Sequence, residues 1–255
     1  MKKKKIFILC FILVCLTGLV YSIYNIIIYK MSNDKTIKIQ NEINKIIVNH
    51  DNNIDSNSDE ESDTSYNIDF QKLKEMNKDV VAYLKVLGTN IDYVIVKGND
   101  NDYYLNHNFN KEYSVIGWPF ADYRNKFDGT DKNIIIYGHN IKTGSMFGTL
   151  KTVLEKKWQN NLENRKIIFI TENESSIYEV FSTYIVEPEM YYISTNFETD
   201  NKYQTFLNEL ITRSNYNYNI NVNTSDTILT LSSCTTGGKK RVVLHAKKVL
   251  SEINN

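Results

Sequence analysis

Cysteine is scarce in this chain, and neither sign of charge is in excess. Three of the 255 residues are cysteine, and Cys10 and Cys15 fall in an apolar N-terminal stretch. Cys234 is alone in the remainder, which excludes an intramolecular structural disulfide there. It is either a small buried hydrophobe or a reactive thiol. No paired Cys-x-x-Cys and no His-Glu-x-x-His occurs, so no metal site is implied. Glycines number 10 and prolines 2, and neither phosphate-binding glycine motif is present. No cofactor is expected. The formal net charge is zero, but Lys2, Lys3, Lys4, Lys5 and Lys30 lie in the first thirty positions, which hold no acid. The remainder carries 25 basic residues against 30 acidic ones, a net of −5. Such a body has no general attraction for phosphate backbones, and a nucleic-acid partner is not expected.

What is present starts with an anchor signal. After the lysine cluster, Ile6–Ile28 runs without a charge. As a helix this spans ~35 Å at about 1.5 Å per residue, enough to cross a hydrocarbon core of about 30 Å. The lysines predict that residues 1–5 stay cytoplasmic and that the rest is exported. A cleaved signal peptide fits less well, because the run continues through Ile26, Ile27 and Ile28 where small residues would mark cleavage. Leu9 and Val14 before the two cysteines also argue against a lipoprotein cleavage site. Residues 6–28 are thus expected to be a single-pass membrane anchor.

Residues 29–66 read as a stalk. Ile37, Ile39, Ile43, Ile46 and Ile47 predict an amphipathic helix over 31–50, and the acidic, polar residues 51–66 a flexible tether. Removing residues 1–66 is expected to leave a soluble domain, residues 67–255. There, strands are expected at Val80–Val86, Ile91–Val96, Asn133–Tyr137, Lys166–Thr171, Ile177–Val186, Thr227–Ser232 and Arg241–Lys247. Helices are expected at Phe70–Met76, Met146–Leu154 and Lys202–Arg213. Many strands, few helices and no βαβ rhythm predict a mostly β domain, a closed or nearly closed antiparallel barrel.

The last strand pair carries the chemistry. One strand ends in Ser232-Ser-Cys234, Gly237 and Gly238 allow a reversal, and a second strand starts at Arg241. A thiol and a guanidinium can so meet at one rim; the bland alternative is a hairpin with a stray cysteine and a solvated arginine. A free thiol of pKa about 8.5 is only a few per cent ionised at neutral pH, so a nucleophile needs a basic or cationic neighbour. Of the four histidines, His50 precedes the tether, His107 sits in a polar stretch, and His245 lies inside the last strand as a structural residue. His139 ends the apolar run Ile134-Ile-Ile-Tyr-Gly-His, with Gly138 letting the backbone turn out of the core.

Ile136-Tyr-Gly-His-Asn140 with Met146-Phe147, Thr230-Leu-Ser-Ser-Cys234 and Arg241-Val-Val strongly resemble the sortases, specifically class B. Asn77-Lys-Asp-Val-Val, Thr89-Asn-Ile-Asp-Tyr93, Asp100-Asn-Asp-Tyr-Tyr-Leu105 and Asp122-Tyr-Arg-Asn125 extend the likeness over residues 67–248. Departures are Ala82-Tyr83 for the family's Gly-Trp, Val94 for a common Pro, and Ser233 for Thr before the cysteine. The resemblance implies a sortase-type barrel with an inserted helical segment, Asn196–Ser214, shaping a peptide groove. It implies that Cys234 attacks the carbonyl of a Thr in the C-terminal sorting signal of an exported surface protein. His139 would protonate the leaving amine and then act as base for the incoming one. Arg241 would hold the developing oxyanion, and Ser232 and Asn140 would contact substrate. The acceptor would be an amine of a peptidoglycan precursor or cross-bridge; pilus polymerisation is the alternative. An L,D-transpeptidase fits less well, since Ser233 and Thr236 stand where that family has Gly and Arg. A papain-like protease would place its His after its Cys. A non-catalytic surface-binding barrel would be favoured by loss of Cys234, His139 or Arg241, and all three are present.

Overall fold

Runs rich in Ile, Val and Tyr become strands wherever side chains are needed on both faces of a curved wall. The computed structural model describes residues 2–49, 66–234 and 238–254. His50 and all of the expected tether except Tyr66 lie outside the described residues. The elements are α1 (Lys2–Ile46), β1 (Ile47–Asn49), β2 (Tyr66–Ile68), α2 (Phe70–Met76), β3 (Val80–Val86), β4 (Asp92–Val96), β5 (Phe120–Ala121), β6 (Asn133–Tyr137), α3 (Lys156–Gln159), β7 (Lys166–Thr171), β8 (Glu174–Val186), α4 (Asp200–Arg213), β9 (Ile228–Cys234) and β10 (Arg241–Ile253). Eight strands close a barrel in the order β10-β8-β7-β3-β4-β5-β6-β9.

The closed barrel agrees with the expectation, but its pairing is mixed. β4 runs parallel to β5, and β6 runs parallel to β9. Parallel neighbours need a long crossover, and the chain between β6 and β9 supplies one with β7, β8 and α4 inside it. The helix expected at Met146–Leu154 is reduced to a 3₁₀ turn at Leu150–Leu154. Met146 has φ of 53°, a left-handed backbone that cannot start a right-handed helix. Its neighbour Gly148 is packed so closely that a Cβ would lie 2.2 Å from the Ile141 carbonyl.

Helix α4 is held at its N-terminus by Thr199, whose Oγ1 accepts from the Lys202 amide at 3.2 Å. Its buried face, Tyr203, Phe206, Leu207 and Leu210, forms a second apolar cluster with Phe181, Tyr184 and Val243 of β8 and β10.

The helix expected over 31–50 is present as far as Ile46 and is continuous with the apolar stretch before it. It gives way to β1, which pairs with β2 through Ile47 and Ile68. The residues flanking 50–65 are thereby joined to each other. Ser32, Thr36, Ile39 and Ile43 recur at helical spacing and are all buried. Ile39 and Ile43 share the barrel's apolar cluster with Phe70 and Leu73, and Gln40 Nε2 donates to the Asp92 carbonyl at 3.0 Å. Further toward the N-terminus the same helix is long and apolar enough to cross a membrane, with none of its most apolar window buried.

The docked stalk gives a prediction. Ile43 is fully buried, so Ile43→Ala in the full chain should lower unfolding stability by about 2–5 kcal/mol in urea titration. A change within about 0.5 kcal/mol, the range usual for surface positions, would show that the helix end is not part of the core.

Candidate active site

Three adjacent strands bring the candidate residues to one rim. β6 and β9 are parallel, with Tyr137 opposite Ser232. Two residues further along each chain stand His139 and Cys234. β9 and β10 are antiparallel, with Cys234 opposite Arg241. Directly opposite positions of such a pair are separated by about 5 Å at Cα. Had β6 run the other way, His139 would leave the far rim, ~16 Å distant for a strand of five residues at about 3.3 Å each. Proton transfer needs contact within about 3 Å or one bridging water. The direction of one strand therefore decides whether the site can exist.

A buried hydrogen-bonded chain fixes these strands together. Thr230 Oγ1 donates to Asn133 Oδ1 at 2.7 Å and lies 2.8 Å from His245 Nδ1, and His245 Nε2 lies 2.8 Å from the Tyr184 hydroxyl. Thr230 has one proton, already given to Asn133, so His245 donates from Nδ1 and accepts from Tyr184 at Nε2. That pattern requires a neutral imidazole. Burial, helped by the charge of Arg213, pushes its pKa down to about 3. The chain crosses β6, β9, β10 and β8. His245 is structural, as its strand position implied. His107 is half-buried and stacks on Tyr103 at 3.9 Å between ring centres.

His139 is seated by backbone groups. Its Nε2 donates to the Leu105 carbonyl at 2.7 Å, and its own carbonyl accepts from the Phe147 amide at 2.9 Å. Gly138 serves a close approach more than a turn: a Cβ there would stand 2.4 Å from the Phe147 ring. Gly117 has φ of +66°, and a Cβ on it would meet the carbonyls of Tyr104 and Leu105 at 2.6 and 2.7 Å and His139 Cδ2 at 3.0 Å.

Arg241 Nη1 donates to the carbonyls of Gly238 and Lys240, each at 3.2 Å. It makes no ion pair among the described residues, so its charge is not neutralised by a carboxylate there. A cleft of about 450 Å³ runs along the rim, lined by His139, Arg241, Ser232, Leu105, Tyr192 and Ile193 among others. The Ser232 and Tyr192 hydroxyls are 3.1 Å apart. Asn140 is not a cleft-lining residue; it follows His139 into a bridge with Met146. The cleft walls at Leu105, Tyr192 and Ile193 escaped the reading of the residues, since nothing in their local pattern distinguishes them from core or loop positions.

Comparison with known proteins identifies the family. A sortase-domain family model matches residues 84–249. Sortase B of Listeria monocytogenes is 36% identical over 193 residues, covering 71% of this chain and 74% of that protein. The Staphylococcus aureus sortase B–substrate complex is 34% identical with a TM-score of 0.66, covering 71% of this chain and 84% of that one. A sortase B complexed with triglycine is also 34% identical, with a TM-score of 0.67, covering 71% and 85%. The chain belongs to the sortase family, the cysteine transpeptidases. Within that family it falls with class B, and its fold and motifs agree in this.

The packing sets two expectations. Gly117→Ala should displace His139 and lower turnover about 100-fold, the cost of roughly an ångström of misplacement. Unchanged kinetics would show that the ring tolerates the shift. His245 is neutral when folded, with its pKa down at about 3 against 6.5 unperturbed. The unfolded chain alone takes up that proton as pH falls from 6.5 toward 3, so stability should decline over this window. Urea titrations across it should show a shallower decline for His245→Gln; an equal slope would contradict the assignment.

Proposed function

We propose that this sortase cleaves a C-terminal sorting signal of exported proteins after Thr and transfers the acyl group to a cell-wall amine. The observation that carries the reading is the convergence of residues 139, 234 and 241 on one cleft-lined rim. Cys234 is the nucleophile: its thiolate sulfur bonds to the Thr carbonyl carbon, and the electron pair of the C=O moves to oxygen. Arg241, carrying a permanent charge and a planar fork of donors, hydrogen-bonds that oxyanion. The C–N bond then breaks as His139 gives a proton to the leaving amine, and a thioester remains. An incoming amine attacks the same carbon, His139 takes its proton, and the C–S bond breaks with its electron pair on sulfur, returning the thiolate and the protonated imidazole of the starting state. Because Nε2–H is engaged with the Leu105 carbonyl, Nδ1 is the nitrogen that exchanges the proton.

The peptide and amine partners are supported by the relatives solved with substrate and with triglycine. The membrane assignment is supported by the apolar length of α1 behind Lys2–Lys5. The N-terminus is cytoplasmic, residues 6–28 span the bilayer once, and the barrel faces outward, where exported clients and wall precursors meet. Ser232 borders the cleft and is the substrate contact assigned here; Asn140, engaged with Met146, acts by holding the loop after His139.

The test is mass spectrometry of the full chain incubated with a peptide library carrying Thr before the cleaved bond, with and without glycine-based amines. Wild type should show a thioester mass and amine-dependent product, and Cys234→Ala neither. Arg241→Lys should lose at least about 100-fold in turnover, the scale for removing one oxyanion donor. Product from Cys234→Ala, or near-normal kinetics in Arg241→Lys, would reject these roles.

A further inference from the structure

One carboxylate behind the cleft is wholly buried. Asp122 follows β5, and its side chain has no exposed surface. Arg124 grips it with both arms of its guanidinium, Nε to Oδ1 at 2.8 Å and Nη2 to Oδ2 at 2.7 Å. The Tyr137 hydroxyl donates to Oδ2 at 2.8 Å, and Asn101 Nδ2 donates to it at 3.0 Å. Arg124 Nη2 also donates to the Ile193 carbonyl at 2.9 Å. Burial alone would raise the Asp122 carboxyl, but the bonds from Arg124 and Tyr137 outweigh it and hold the group below the usual carboxylate range.

The partners of this pair are three separate walls of the cleft. Asn101 belongs to the loop after β4, Tyr137 ends β6 two residues before His139, and Ile193 lies between β8 and α4; all three line the cleft. These segments are distant in sequence, and the pair bonds to all three of them. A buried ion pair is weak evidence for stability in general, because desolvation offsets its attraction. Here its geometry does something else: it ties all three segments to one ion pair.

We propose that Asp122 and Arg124 are positioning residues that fix the width of the acyl-donor cleft and so govern productive peptide binding. The proposal rests on the sortase reading of that cleft. Arg124 is the arm that reaches the Ile193 segment, and a lysine there would keep the charge while losing the planar fork. Neither residue touches the reacting atoms, so the thiol's own reactivity is left to Cys234 and its neighbours on the rim.

The test uses the full chain in detergent, with Arg124→Lys and Asp122→Asn, a quenched peptide library with Thr before the cleaved bond, and iodoacetamide as a small thiol probe. Cys10→Ser and Cys15→Ser leave Cys234 as the sole target. Arg124→Lys should raise KM about tenfold or more with a smaller change in kcat, while the alkylation rate stays within about twofold of wild type, a misplacement effect confined to the large substrate. Hydrogen exchange at residues 191–195 should rise in the same variant. An unchanged KM in folded Arg124→Lys overturns the proposal, and so does a parallel loss of peptide turnover and alkylation, which marks a general structural role. If Asp122→Asn does not fold, Arg124→Lys decides the matter. A wild-type chain that forms no thioester would overturn the sortase chemistry itself, an outcome separable from both.

Discussion

The parallel pairing of β6 with β9 is the constraint on which the site depends. Barrel strands that alternate in direction would send the chain after Tyr137 and the chain after Ser232 to opposite rims. Parallel pairing sends both to the same rim, and the antiparallel β10 begins there with Arg241 opposite Cys234. The pairing is held by more than its ladder. The Asn133–Thr230–His245–Tyr184 chain passes through four neighbouring strands with every proton assigned. A one-residue slip in β9 would break the bonds that Thr230 makes and turn the strand's inward side chains outward. The buried imidazole is thus tied to function through register, far from any reacting atom.

A second set of polar bonds shapes the walls around that rim. Asn125 accepts from the Ile135 amide and donates to the Asn133 carbonyl, filling ladder positions that the two-residue strand β5 leaves open. Asn133 Nδ2 reaches the Ser194 carbonyl at 2.9 Å, so the residue that begins the register chain also fastens the segment before α4. Buried polar groups of this kind cost free energy unless fully paired. Their concentration behind the cleft means that the barrel's specificity of shape and the cleft's geometry share the same bonds.

Much of this was legible in the sequence. Asn133–Tyr137 and Lys166–Thr171 have the limits that their apolar runs implied, and the cysteine, histidine and arginine stand at strand ends as their neighbours suggested. Strand direction was not legible, because alternation of side chains is identical in parallel and antiparallel pairs. β5 is too short to show any period. The supposed helix at Met146 failed on a left-handed backbone that no propensity at that residue announces, and the stalk's true end at Ile46 depends on tertiary contacts with the barrel. Gly138, expected to let the backbone turn, instead makes room for the Phe147 ring, which excludes a side chain there. Asn101 and Leu105 meet Ile193 across the cleft, about ninety residues further along the chain and too far for local pattern to connect them.

The most direct test of the shared rim is the pH profile of Cys234 alkylation in the full chain bearing Cys10→Ser and Cys15→Ser, compared with the same chain carrying Arg241→Gln or His139→Gln. A cation within about 4–6 Å lowers a thiol's pKa by one unit or more. The alkylation midpoint should rise by about one unit when Arg241 is replaced, and it should also move when His139 is replaced. A midpoint that stays fixed in both variants would mean that the sulfur, the imidazole and the guanidinium do not share one site.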